Sequence, residues 1–80
     1  MPTLYCPNQA AFSKGWTLVN VCHFGAAAAT SPGAVTLCRT ERGEYVTHWF
    51  NKEDGGFHTG HYYTDPELAH EDWMERIRRR

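Results

Sequence analysis

At 80 residues, with 41% hydrophobic and 14% aromatic residues, the chain has the size of one small domain and too much apolar side chain for a disordered one. A domain this short buries only about 60–65% of the surface its unfolded chain exposes. That leaves little room for a deep pocket and its supporting shell, so no enzyme and no cofactor are expected. The formal net charge of −1 conceals a segregation. The first forty residues hold no carboxylate and carry Lys14 and Arg39, a sum of +2. Residues 41–75 hold all nine acids against Arg42 and Lys52, a sum of −7, and residues 76–80 add four arginines. A folded unit with an acidic surface suits a basic partner.

No apolar run approaches the ~18–20 residues that span a bilayer. The longest candidate, 16–29, is broken by Asn20, His23 and Gly25. The start lacks the basic and apolar pattern of a leader, so the expected location is the cytoplasm, with no membrane partner. Cys6, Cys22 and Cys38 are an odd set. Buried reduced thiols are expected before a disulfide framework.

Along the chain, Asn8 is placed to cap a short helix over 9–14, with Gly15 as its stop. Residues 16–24 read as a strand with apolar side chains on both faces, hence a buried one. Residues 25–33 are a connection ended by Thr-Ser-Pro-Gly. Strands follow over 34–40, 44–51 and 57–63, joined by a tight turn at 41–43 and an Asp-Gly turn within 52–56. A turn centred on Arg42 and Gly43 pairs Cys38 with Val46 or Thr47. A helix then runs to about residue 78. It starts either with Asp65 as cap and Pro66 at the first position, or with a capping box of Thr64 and Glu67. Its stripe of Ala69, Trp73 and Ile77, with Met74 alongside, should lie on the sheet, and Leu68 points away. The fold class is therefore α+β. A small antiparallel meander of three to four strands carries a C-terminal helix on one face, with a short N-terminal helical element.

Strict alternation puts Tyr45, Thr47 and Trp49 on one face of their strand and Val46, His48 and Phe50 on the other. On the last strand it groups Phe57, Thr59, His61 and Tyr63 against His58, Gly60 and Tyr62. One face takes the helix, and residues 8–33 are expected to cover the other. His58 and His61 then face opposite sides, and the chain has no Cys-x-x-Cys pair, so no metal site is expected. A thiol enzyme built on Cys38 and His48 lacks a visible oxyanion site. Sheet aromatics can stack single-stranded nucleic acid, with Arg76 and Arg78 to Arg80 as the phosphate contact. The acidic turns and helix oppose that, so direct nucleic-acid binding is the weaker alternative.

Glu67, Glu71 and Glu75 recur every four residues along the last helix, with Asp72 beside them. Like charges at that spacing cost a few tenths of a kcal/mol per pair. A row of carboxylates tolerated at that cost can present charge to a partner much as a phosphate backbone does. Glu53 and Asp54 at a hairpin tip join them as contact residues, with Trp49 and Tyr62 as aromatic anchors where exposed. Part of the asymmetry has a local cause, because acids early and arginines late in a helix suit its dipole.

The stretch YVTHWFNKEDGGFHTGHYYTD, followed by the short acidic helix over 66–78, resembles small proteins of phages and mobile elements, among them the anti-CRISPR proteins. The resemblance covers residues 44–78. It implies stoichiometric inhibition by binding a Cas subunit of a type I Cascade complex and blocking DNA access; the protein itself is expected to be a monomer. Anti-CRISPR families share little sequence, so no residue role is carried over.

Overall fold

The computed structural model describes residues 5–24 and 33–79. Helix α1 spans Pro7–Ser13, and four strands follow: β1 (Thr17–Phe24), β2 (Gly33–Arg39), β3 (Tyr45–Asn51) and β4 (Gly56–Tyr63). Helix α2 spans Pro66–Arg79. The strands form one antiparallel meander in the order β1-β2-β3-β4. The expected α+β architecture holds, with α2 on one sheet face and α1 against the other.

Local chemistry sets the element ends. Helix α1 begins with Pro7, whose missing N–H is no loss at the first helical position. Cys6, and not Asn8, is the capping position, and it makes no side-chain capping bond. Gly15 ends the helix at φ 77°, a conformation that penalises any side chain. At the other helix, Asp65 Oδ1 accepts from the Glu67 amide at 2.9 Å, so Asp65 caps and Pro66 opens α2. Gly43 and Gly55 supply positive φ in the two hairpin turns. The expected connection over 25–33 lies outside the described residues except for Gly33, which begins β2.

Strand order decides which strand is buried. The sequence reading made 16–24 the buried strand, but β1 stands at the sheet edge with one neighbour, and its side chains are exposed or half-buried. The buried strand is β2, flanked on both sides and covered on both faces.

Two bulges re-deal the side chains. In β1 the register shifts between Leu18 and Asn20, which leaves Val19 without an opposite residue. Leu18 therefore joins Cys38 on the α1 side, while Cys22 joins Val35 on the α2 side. In β4 two residues, Thr59 and Gly60, stand against His48 alone, and Thr59 has φ 55°. Strict alternation grouped Phe57 with His61 and Tyr63. Instead Phe57 lies opposite Phe50 and Tyr62 opposite Val46, both on the α1 side. His58, opposite Trp49, and His61, opposite Thr47, share the α2 side.

Each face has its own core. On the α2 side Val35, Leu37, Ala69 and Trp73 are buried, with Trp49, Tyr63 and Ile77 packed on them. Trp73 Nε1 donates to the Val35 carbonyl at 2.9 Å, which satisfies the indole within the core. Met74 does not join the expected stripe: it is 38% exposed, and Arg76 turns inward instead. On the α1 side Ala11, Cys38 and Val46 are buried beneath Trp16, Leu18 and Phe57. The Trp16 indole stacks on the His48 ring at 5.5 Å and 10°.

His48 is 5% exposed, and burial, helped by the Arg76 charge, pulls its pKa down to about 4. It is held neutral, so the unfolded chain binds more protons than the fold between pH 6.5 and 4. Stability is complete above that window and is lost as pH falls through it. A shift of this size corresponds to about 3 kcal/mol. Denaturant unfolding should show a loss of roughly 2–3 kcal/mol between pH 7 and pH 4.5. His48→Phe, which keeps the stack and removes the proton site, should flatten that slope. An equal slope in the variant would assign the loss to other groups.

Candidate functional site

The nine acids do not form one surface. Consecutive hairpins of a meander lie at opposite ends, so Glu41 and Glu44 sit at one end of β3 and Glu53 and Asp54 at the other. Glu53 and Asp54 precede β4 and Glu67 follows it, which separates them by roughly 25 Å of strand. At the tip, Asp54 Oδ1 accepts from the Gly56 amide at 2.7 Å and Oδ2 lies 3.4 Å from His58 Nε2. Asp54 thus serves the turn as well as the surface.

On α2 the four acids divide by direction. Glu67 and Glu71 are exposed on the outer side and have no ion pair among the described residues. Glu75 takes Arg79 Nε at 2.9 Å and Arg78 Nε at 4.0 Å. Asp72 faces the sheet, its side chain 18% exposed. Its Oδ2 accepts from Thr47 Oγ1 on β3, from His61 Nδ1–H on β4 at 3.2 Å, and from Arg76 Nε at 3.2 Å. Burial pushes the Asp72 carboxyl up. The hydrogen bonds from Thr47, His61 and Arg76, with the Arg76 charge, outweigh it and hold the group below the usual carboxylate range. Asp72 is therefore spent on internal contacts and leaves the outward row.

Arg76 is the residue that sequence reasoning missed. It is 5% exposed, donates Nη2 to the Thr59 carbonyl, and lies 5.8 Å from the Trp49 ring centre. The signal was available in the i, i+4 spacing of Asp72 and Arg76. Nothing in the composition told that pair from the other Glu and Arg pairs of the same helix. Its inward position removes one arginine from the basic tail, and Glu75 engages two more, which weakens the nucleic-acid reading.

The two aromatic anchors also part. Trp49 is half-buried between Phe24 and Arg76 on the α2 side. Tyr62 is 56% exposed on the α1 side, beside an open groove lined by Lys14, Trp16, Glu41 and Arg42. They cannot serve one interface. Leu68, 51% exposed, is the apolar side chain that does lie among the outward acids. It lines an open groove with Tyr63, Glu71, Asp72, Glu75 and Arg78.

The sequence argument against metal rested on His58 and His61 facing opposite ways, and the β4 bulge puts them on one side. Each ring is turned onto its own carboxylate, Asp54 or Asp72. Among the described residues no group of three or more His, Cys, Asp or Glu is arranged to hold a metal ion. All three thiols are free, yet only Cys38 is buried, with Cys22 half-buried and Cys6 exposed. Burial raises the Cys38 thiol to about 11, which leaves almost no thiolate at neutral pH.

No family model, curated protein or solved structure matches the chain.

Two outcomes check these assignments. Asp72→Ala leaves a buried guanidinium without its counter-charge and should cost about 2–4 kcal/mol in denaturant unfolding. Glu71→Ala, one residue away, should stay within about 0.5 kcal/mol. Equal losses would contradict the inward assignment. A disulfide thiol reagent at pH 7.5 should modify Cys6 rapidly in the folded protein and Cys38 only after unfolding. Fast modification of Cys38 would restore a reactive thiol.

Proposed function

We propose that the protein is a non-enzymatic binding protein whose contact surface is the outer face of α2. The surface suits a basic, nucleic-acid-binding region of a partner protein, from which the bound protein excludes nucleic acid. The sequence resemblance makes that partner a Cas subunit of a type I Cascade complex and the class anti-CRISPR. The observation that carries this reading is the set of Glu67, Leu68 and Glu71 on the solvent side of α2. It is an apolar side chain, half exposed, that lines a groove with Glu71, while Glu67 stands one helical turn before Glu71, and neither carboxylate has an ion pair among the described residues. A central apolar anchor with a charged rim is the usual economy of a protein interface. The carboxylates speed encounter and set register, and the anchor supplies affinity. Successive acids at i and i+4 rise about 6 Å along the helix, a spacing on which lysine and arginine side chains of a nucleic-acid channel can close.

The position of the arginines supports a protein partner over a nucleic acid. Arg76 is buried, and Arg78 and Arg79 share Glu75, so the last turn of the helix is left with about one unbalanced positive charge, few for a phosphate contact. No helix among the described residues is long and apolar enough to cross a membrane.

The test is an electrophoretic mobility assay of purified type I Cascade on its target duplex. A stoichiometric amount of this protein should abolish the shifted band, and rising salt should weaken that inhibition. The Glu67→Lys/Glu71→Lys variant should need at least about tenfold more protein, since each reversal meets like charge. An undiminished shift at saturating protein would remove Cascade as the partner.

A further inference from the structure

We infer that the groove between α2 and the end of β4 is a socket for an arginine side chain of the partner, and that Arg78 and Arg79 are its resident competitors. This deepens the reading of α2 as the contact face and rests on it. The groove has two kinds of wall. Leu68 and the half-buried Tyr63 ring are apolar, and Glu71 and Glu75, one helical turn apart, are acidic. An arginine is amphipathic in the same way: its aliphatic stem lies on apolar surface and its planar fork meets carboxylates and aromatic rings. Lysine carries a compact charge that uses only the acidic wall.

The molecule already displays the chemistry. Arg78 lines the groove and approaches Glu75 at 4.0 Å, while Arg79 donates Nε to the same carboxylate at 2.9 Å. Glu75 is thus oriented to take a guanidinium, and Glu71 beside it takes none among the described residues. Both resident arginines are largely exposed, with side chains 69% and 75% accessible. Exposed pairs of this kind are weak and exchange readily. An incoming arginine therefore displaces Arg78 and Arg79 from Glu75 and adds Glu71, Leu68 and Tyr63. In this arrangement the terminal arginines restrain binding. In the nucleic-acid alternative they would drive it.

The experiment is a titration of the full chain with a nona-arginine peptide, followed by backbone-amide NMR, with nona-lysine alongside. The largest shifts should fall on Leu68, Glu71 and Glu75, and nona-lysine should bind more weakly. Arg78→Ser/Arg79→Ser should tighten nona-arginine binding by about 3- to 10-fold, the release of two weak competing pairs. Lys14→Ser/Lys52→Ser makes the same change in net charge away from α2, on the α1 face and at the far hairpin, and should leave binding within about twofold. Equal tightening in both double variants, weaker binding in the first, or shifts centred on the 52–56 turn would each overturn the socket. The two proposals fail separately. Localised peptide binding with no effect on Cascade removes the partner class alone. A Cascade effect that Arg78→Ser/Arg79→Ser leaves unchanged, with no localised peptide shift, removes the socket alone.

Discussion

The Asp72 carboxylate ties α2 to the two strands farthest along the meander. Thr47 reaches it from β3, His61 from β4, and Arg76 from its own helix. Arg76 then spans from that carboxylate to the Thr59 carbonyl, at the β4 bulge. A threonine at φ 55° is costly for a β-branched side chain and persists only where its surroundings over-determine it. The Arg76 bond to its carbonyl is one such determinant, and the pairing of His58 with Trp49 and His61 with Thr47 on either side is another. A buried arginine needs strong partners, since its desolvation exceeds what one weak pair returns. Asp72, the Thr59 carbonyl and the Trp49 ring provide three, although Nη1 has no hydrogen-bond partner.

Much of this architecture was legible because it rests on local chemistry. The glycine turns follow from turn rules, and the Asp65-Pro66 start of α2 and the Cys38 to Val46 register are each one of the two alternatives that capping and turn rules left open. The placement of β1 at the edge was not legible, because both buried and edge strands can carry apolar residues on two faces. The bulges were harder still. Gly60 within a strand otherwise of aromatics, histidines and one threonine was a signal, since an isolated strand glycine often marks a bulge. Val19 had no such neighbour. Each missed bulge reverses every assignment beyond it on the same strand, because side-chain period is two. That is why Phe57 and His61, which flank the β4 bulge, were grouped on one face although they lie on opposite ones. The expected covering of the second face by residues 8–33 is met in part by α1 and Trp16.

The bulges also explain how a chain of this size sustains two cores. Without the shift at Val19, Leu18 and Cys22 would compete for one face of an edge strand. With it, Leu18 packs beneath α1 and Cys22 beneath α2. Without the shift at Thr59, Phe57 would leave the cluster formed with Trp16, His48 and Phe50. The buried neutral His48 belongs to that cluster. Its stack on Trp16 makes the α1 side dependent on an uncharged ring, so the second core adds its own acid sensitivity to that of Asp72 on the α2 side.

Charge segregation in the sequence becomes polarity in the structure. Helix α2 carries Glu67, Glu71, Asp72 and Glu75 against Arg76, Arg78 and Arg79, a net of −1, so the helix as a whole is nearly neutral. Its steering power lies in the order of those charges. The inward pair of Asp72 and Arg76 cancels locally, and Glu75 is offset by the two arginines after it. Unbalanced negative charge therefore sits on the first two turns, at Glu67 and Glu71, and unbalanced positive charge at the end. Over a Debye length of about 8 Å a partner senses these ends separately. On the proposed reading, a basic surface is drawn to the first half of α2 and held off the second, which would fix the direction in which it lies along the helix. Leu68, which shares a groove with Glu71, is where such an approach would meet apolar surface.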